Sequence, residues 1–403
     1  MRRFRGQNSR RGVGQSLVQP GVPRLWTPRR SSDPRIARIA QPLCGGIGFH
    51  PPEGAPVISA VIAAHDCERE IRVLLESILA SEFKDLQICI CDDASTDGTR
   101  GGILSFEDRL DIALVVNDRN LGVCRSRNKA LALARGDLLL FLDADVRLYP
   151  DTITKLLRTL ESTGADVVDG CYSPVALDTG CFSRYHALFA HHSFLVSESP
   201  YAYNVFNAWC ALCRPAVMKK TGGHSPLPKG VEIENEELGR RVIAHGFSLM
   251  LDPAVAVDHH WGGHAKLVFI FTRRVYWWVK IFFSTGGAFE KSMTTASYGF
   301  GTLCLPAAVL ASLAALWAPP LLWPAAALAA CFVSAYASFY QFVLKREGVA
   351  FCCVSVLLSA YFACYAAAAA VWSGLEECWL LSVRRRGTLD ARLFGAGTRA
   401  SRA

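Results

Sequence analysis

Two aspartates one residue apart, Asp143 and Asp145, close an uninterrupted apolar run in "GDLLLFLDADVRL" (136–148). Together they offer the hard oxygen donors that Mg²⁺ or Mn²⁺ prefers. An Asp-Ala-Asp after a strand is also what a solvated turn looks like, so the pair needs company to mean anything. Two more polar clusters follow apolar runs in the same way. His65 and Asp66 come after "VISAVIAA" (57–64), and Asp92 and Asp93 after "LQICIC" (86–91). Two histidines, His259 and His260, end "LMLDPAVAVDHHW", and "ENEEL" gathers Glu234, Asn235, Glu236 and Glu237 at the head of a helical pattern.

The elements that must hold these residues follow from periodicity. Ile71, Leu74, Leu75, Ile78 and Leu79 recur at the spacing of one helix face. "IALVV" (112–116) reads as a third strand, and "NDRNLGVCRSRNKALALARG" as a loop entering a helix that Gly136 closes. "LLLFL" (138–142) is a fourth strand. Strands alternating with helices predict an α/β fold with a mostly parallel sheet covered on both faces. In such sheets ligands bind beyond the carboxyl ends of the strands. All three acidic or histidine-bearing clusters fall there, which isolated turns would not arrange. After Gly164 the pattern loosens, until "VEIENEELGRRVIAHG" (231–246) forms a helix with a glycine stop and "LMLDPAVAVDHHW" returns as a strand.

From about residue 265 the composition turns oily. The chain of 403 residues is 51% hydrophobic and 19% charged, and the hydrophobic residues are concentrated in this last third. "LVFIFTRRVYWWVKIFF" mixes aromatics with Arg273, Arg274 and Lys280, the composition of a helix lying in a membrane interface (265–290). Residues 298–317, 321–343 and 349–372 are each long and apolar enough to cross a bilayer, which predicts about three spans within 291–380. A basic tail (381–403) follows. With the catalytic domain inside, three spans would carry its arginines outside, against the positive-inside tendency; either one segment is re-entrant or the tail breaks the rule. Residues 1–55 hold ten arginines against Asp33 within their first 40 positions and lack periodicity, the signature of a disordered leader. The net charge of +8 is therefore local. It suits anionic lipid or cytoplasmic retention, and no nucleic-acid-binding motif accompanies it. The basic N-terminus precedes no apolar h-region, so no secretory signal is expected. The fifteen cysteines are odd in number and sit mostly in apolar runs, as buried thiols of a reducing compartment do. Cys210 and Cys213 form a CxxC with no second pair at zinc spacing.

In order and spacing, "VIAAHDCERE", "CDDASTDGT", "NLGVCRSRNKAL", "FLDAD", "GGH", "ENEELGRR" and "VDHHW" resemble the family 2 glycosyltransferases, enzymes of the glycosyltransferase A fold. The resemblance covers about residues 57–262, within a catalytic domain placed at 56–264. It implies a Rossmann-like domain that transfers sugar from a nucleotide-diphosphate donor. It further implies that Asp143 and Asp145 hold Mn²⁺ or Mg²⁺ and the donor, with His259 completing the metal site and His260 the neighbour that could replace it. His65 stands where the family usually stacks an aromatic on the base, Asp66 replaces a usual Asn, and Asp92 matches the acid that contacts the base. Asp93 and Asp97 more naturally shape the turn. Arg127 is placed to reach base or phosphate, or else is a solvated helix residue. Trp209 either stacks on an acceptor sugar or packs in the core.

The departure lies in "ENEEL". Where the family carries an Asp as general base, this chain has Asn235, which cannot take a proton. Either Glu234 or Glu236 supplies the base, or the acceptor is a phosphate that needs none and Asn235 only orients it. The helix dipole alone accounts for at least one of these acids. No Gln-x-x-Arg-Trp segment is present, which favours single transfer over polymerisation. The expected protein is a multi-pass membrane enzyme, its catalytic domain facing the cytoplasm, moving sugar with inversion to a lipid or lipid-linked acceptor such as a polyprenyl phosphate. The competing reading, prompted by Asn235, is a catalytically silent nucleotide-sugar-binding membrane protein.

Overall fold

The computed structural model describes residues 57–228, 230–284 and 296–384. The basic leader and most of the basic tail lie outside the described residues. Strand β1 (Ile58–Ala64) is buried on both faces, with Ile58, Ala60, Val61 and Ile62 fully enclosed. That is why its sequence is a continuous apolar run and not an alternation. It pairs in parallel with β2 (Leu86–Asp92) on one side and β4 (Leu138–Asp143) on the other, and β3 (Asp111–Val116) lies outside β2. The register sets Ala64 beside Asp92 and Ala63 beside Asp143, so three strands end at one level. Helix α1 (Glu68–Leu79) buries Ile71, Leu74, Leu75 and Ile78, the face its periodicity predicts. Helices α2 (Thr99–Leu104) and α3 (Val123–Leu131) make the next crossovers. Gly136 precedes β4 because a Cβ there would stand 2.6 Å from the Ser59 amide nitrogen.

Beyond β4 the sheet becomes mixed, in the order β3-β2-β1-β4-β8-β6-β9-β5. Strand β8 (Cys210–Cys213) runs antiparallel to both β4 and β6 (Val167–Ala176). Strand β9 (Leu249–His259) is parallel to β6 and antiparallel to β5 (Val146–Leu148), and the two-residue β7 (Tyr201–Ala202) also joins it. The α/β expectation is met, parallel in the N-terminal half and mixed beyond. Helices α4 (Thr152–Thr163), α5 (Cys181–Phe194), α6 (Pro215–Thr221) and α7 (Glu234–Ala244) complete this part. Cys210 and Cys213 are free thiols, fully buried in the strand between β4 and β6, and their role is packing.

After β9 the chain forms α8 (His264–Phe269), a π-helical turn (Ile270–Arg274) and α9 (Val275–Ser284). Helices α10 (Ala296–Ala314), α11 (Leu322–Ala335) and α12 (Ala337–Arg384) follow, the last broken at Gly348, where φ is 83°. Two stretches, Ser297–Ala314 and Ala337–Leu380, are long and apolar enough to cross a membrane; Pro319–Ala335 is apolar but shorter. Leu310, Leu316, Trp317, Trp323 and Trp372 are two-thirds or more exposed, whereas Tyr298, Phe332, Phe339 and Phe362 face inward. An apolar exterior of this extent is what a lipid environment accommodates and water does not.

Helix α5 joins the two parts. Tyr185, Leu188 and Phe189 pack into the same cluster as Phe339, Val343 and Phe362. Polar ties reinforce the joint: Tyr185 Oη lies 3.0 Å from Ser359 Oγ, His264 Nε2 lies 2.7 Å from Tyr361 Oη, and Arg184 pairs with Glu347.

Candidate active site

The level strand ends place His65, Asp92 and Asp143 along one rim. His65 is exposed, its Nε2 3.6 Å from Asp66 Oδ2. Asp66 has left-handed backbone geometry (φ 44°), and its Oδ1 accepts the Thr96 N–H at 2.6 Å, tying the β1 end to the acidic turn. Asp92 is buried and closes the same turn by accepting the Ser95 N–H at 3.0 Å. Asp93 and Asp97 are scaffolding. Asp93 accepts from Asn117 Nδ2 at 2.6 Å and from the Leu121 and Gly122 amides at 2.8 Å. Burial would push its carboxyl up, but these donors hold it below the usual carboxylate range. Asp97 accepts from the Thr99 and Glu68 amides at 2.9 and 3.1 Å.

Arg127 is buried beneath this rim. Its Nη2 donates to Asp143 Oδ1, and its Nη1 lies 4.0 Å from Glu234 Oε1 with no hydrogen-bond partner. One side chain thus links the end of β4 to the start of α7. The pairing occupies one Asp143 oxygen.

The antiparallel register that sets Val146 opposite His259 brings β5 and β9 to a common end. There His259 Nε2 lies 3.3 Å from Asp145 Oδ1, and Lys266 Nζ 3.7 Å from Asp145 Oδ2. Burial would raise the Asp145 carboxyl, but His259 and Lys266 hold it well below the usual range. His259 is packed between the rings of Tyr172 (5.0 Å) and Trp261 (4.5 Å), which fix its plane; its Nδ1 has no partner. His260 turns away, with Nδ1 3.2 Å from Asp178 Oδ1. Behind them Asp258 is fully buried, accepting from Arg147 Nε at 2.9 Å, from Tyr149 Oη at 2.7 Å and from Ser173.

Among the described residues no three His, Cys, Asp or Glu side chains close on one point. A cation at this rim would therefore take its other ligands from a bound diphosphate and water, which is how Mg²⁺ is commonly held. On that basis the oxygen and imidazole donors of Asp145 and His259 fit Mg²⁺ or Mn²⁺.

Helix α7 presents the departure from the family pattern. Its approach depends on Gly239, where a Cβ would stand 2.3 Å from the Asn204 carbonyl oxygen. Glu237 is structural, held bidentately by Arg241 at 2.5 and 2.7 Å. Glu236 is buried and accepts the Trp278 indole N–H at 2.9 Å; burial pushes its carboxyl up. Asn235 is buried and its Oδ1 has no partner. Glu234 keeps part of its side chain exposed, beside Arg127. Trp209 is enclosed and stacks on Tyr172 with ring centroids 4.5 Å apart.

Sequence reasoning missed Arg274 and Trp278. Both come from the segment expected to lie in a membrane interface, yet both line a narrow cavity with Trp209, Asn235 and Glu236. The only signal was the mixture of cations and aromatics in "TRRVYWWVK", which reads equally as lipid-facing. Lys266 was missed for the same reason.

Residues 59–214 match the family described as Glycosyl transferase family 2. The UDP-Glc:alpha-D-GlcNAc-diphosphoundecaprenol beta-1,3-glucosyltransferase WfaP of Escherichia coli is 38% identical over 106 residues, 26% of this chain and 42% of that protein. The putative glycosyltransferase EpsE of Bacillus subtilis (strain 168) is 34% identical over 110 residues, 26% of this chain and 39% of that protein. The chain thus spans about two fifths of the length of these relatives. Among solved structures, mannosyltransferase PcManGT from Pyrobaculum calidifontis, in complex with GDP-Man and Mn²⁺, aligns with a TM-score of 0.49 at 18% identity, covering 84% of this chain and 93% of that one.

Proposed function

We propose, from the premise that residues 59–214 are a glycosyl transferase family 2 domain, that the chain transfers a sugar from a nucleotide-diphosphate donor to a lipid-linked acceptor at a membrane. The observation that carries this reading is the Asp145–His259 pair at 3.3 Å, set beside the level ends of β1, β2 and β4. In it His65 stacks on the nucleotide base and Asp92 accepts from base or ribose. Asp143, fixed by Arg127, orients the donor, and Asp145 with His259 holds Mn²⁺ or Mg²⁺. The bound cation would neutralise charge developing on the departing diphosphate. The acceptor enters between α7 and the α8–α9 segment, from the membrane side. Attack from that side, opposite the leaving group, inverts the anomeric centre in a single transfer.

The lipid-linked acceptor is supported by the apolar helices α10 and α12, packed against the catalytic domain through α5, and by the diphosphoundecaprenol-linked acceptor in the name of the E. coli relative. A multi-pass arrangement with the catalytic domain in the cytoplasm agrees with the ten arginines that precede that domain on the same side.

The test is turnover of the full chain in nanodiscs against a panel of nucleotide-diphosphate sugars with Mn²⁺, in parallel with Asp145→Ala. One donor should be consumed in the presence of the metal and spared in the variant. If no donor is bound or consumed, the nucleotide-sugar reading fails.

A further inference from the structure

The π-helical turn Ile270–Arg274 separates two consecutive arginines. Arg273 is exposed, whereas Arg274 turns inward and lines the cavity with Asn235, Glu236, Trp209 and Trp278. A wider turn of this kind re-aims side chains that a regular helix would send elsewhere, and such turns recur at functional sites.

Arg274 feels the fields of Glu236, Glu234 and Glu232, yet no hydrogen bond or ion pair holds its guanidinium among the described residues. Burial pushes the Glu232 and Glu236 carboxyls up, towards their neutral forms. Their attraction outweighs the effect of burial and keeps the guanidinium charged, although none of them ion-pairs with it among the described residues. A second donor lines the same cavity: Trp209 is enclosed, and its Nε1–H has no acceptor among the described residues. A guanidinium without an ion-pair partner and a buried indole N–H without an acceptor are met by a negatively charged ligand that accepts hydrogen bonds, while Asn235 Oδ1, also unpartnered in this cavity, is left to a water or a phosphate hydroxyl. The donor diphosphate belongs to the rim at Asp145, whereas this cavity is walled by α9, which packs against α12.

We propose that this cavity is a phosphate subsite for the membrane-lipid acceptor, with Arg274 as its anion-binding residue and the Trp209 indole as a second donor. This rests on the lipid-linked acceptor proposed above and assigns its phosphate a place. A lipid monophosphate would present its nucleophilic oxygen from here; a lipid diphosphate carrying a sugar would be anchored here while the sugar hydroxyl reacts.

The experiment uses the full chain in phosphatidylcholine nanodiscs and three probes: farnesyl phosphate, farnesyl diphosphate and farnesol. Affinities are measured by calorimetry for the wild type, Arg274→Gln, Arg274→Lys and Arg273→Gln, together with the affinity for the nucleotide diphosphate. The expected result is that Arg274→Gln weakens the phosphorylated probes at least tenfold and Arg274→Lys less, while farnesol, nucleotide affinity and Arg273→Gln are unaffected. The stronger of the two phosphorylated probes identifies the kind of acceptor. Three results overturn the proposal: no preference of the wild type for phosphorylated probes over farnesol, unchanged affinity in Arg274→Gln, or an equal loss of nucleotide affinity in both Arg274 variants. Nucleotide binding that survives any of these leaves the glycosyltransferase reading standing while the subsite falls.

Discussion

Asp145 and His259 stand 3.3 Å apart, Oδ1 to Nε2, because β5 and β9 pair in antiparallel register with Val146 opposite His259. Backbone pairing holds them together, not adaptable side chains, so removing one carboxylate should leave the fold intact. Asp145→Ala is expected to lower divalent-dependent turnover by about 100-fold or more, the scale of losing a principal electrostatic stabiliser. Expression and membrane insertion should be unchanged. Mn²⁺ binding followed by electron paramagnetic resonance, with and without donor, checks the assignment; unaltered binding in the variant would remove Asp145 from the metal site.

Glu234 and Glu236 differ in what surrounds them. Glu236 is enclosed, accepts from Trp278 and is pushed towards its neutral form by burial, while Glu234 is partly open beside Arg127. For a hydroxyl acceptor, Glu234→Gln is expected to slow transfer by about 100-fold, in the range of general-base contributions. Glu236→Gln, which can still accept the indole N–H, should be milder. Single-turnover rates with donor affinity measured alongside separate chemistry from binding. If neither variant slows transfer, the nucleophile is an acceptor phosphate that is already ionised.

Asp93 predicts how stability depends on acidity. Its carboxyl sits below the usual range in the folded chain because Leu121, Asn117 and Gly122 donate to it against the opposing effect of burial. A depressed folded value means that the contribution is complete above the unfolded value of about 3.9. It is then lost as pH falls further, towards the folded value. Asp93→Asn is expected to cost about 1–3 kcal/mol at pH 7, through donors left without a carboxylate. The gap between variant and wild type should narrow below pH 4. Thermal unfolding of both proteins from pH 7 to pH 3 is the measurement, and a gap that stayed constant would falsify the linkage.

Removing residues 265–403 would uncover Tyr185, Leu188 and Phe189 on α5 and take away Arg274 and Trp278. The truncated domain is expected to self-associate and to transfer sugar poorly while still binding nucleotide. Sedimentation velocity and nucleotide titration are the checks. A monodisperse monomer with full transfer activity would mean that α5 needs no cover and that the site is complete without α8 and α9.

The carboxyl-end rim was legible because β1, β2 and β4 are buried on both faces, so their apolar runs stop where their polar residues begin. The second half of the sheet was not. Strand β8 is four residues, "CALC", inserted antiparallel between β4 and β6, and so short a run has no period of its own. Trp209 could be read as a sugar platform or as core; its stacking on Tyr172 comes from β6, which local sequence cannot place beside it. The α8–α9 segment was ambiguous for a physical reason. Arginines and tryptophans suit a lipid headgroup and a catalytic cleft alike, and the π-helical turn that divides them leaves no mark in hydropathy. In the same way "KRE" (345–347) looks like a loop between spans, yet the helical backbone breaks one residue later, at Gly348.

The joint at α5 sets a distance as well as a contact. Tyr185 to Ser359, His264 to Tyr361 and Arg184 to Glu347 fasten the catalytic domain at three points to helices that, in a bilayer, cannot change depth. The cleft then works at one altitude above the lipid. For the membrane-linked acceptor proposed above it would behave as a gauge: only an acceptor whose reactive group stands at that height would be in reach, and the sugar just added would lift the next hydroxyl above it. Transfer would then end after one sugar by geometry alone, with no separate signal to stop.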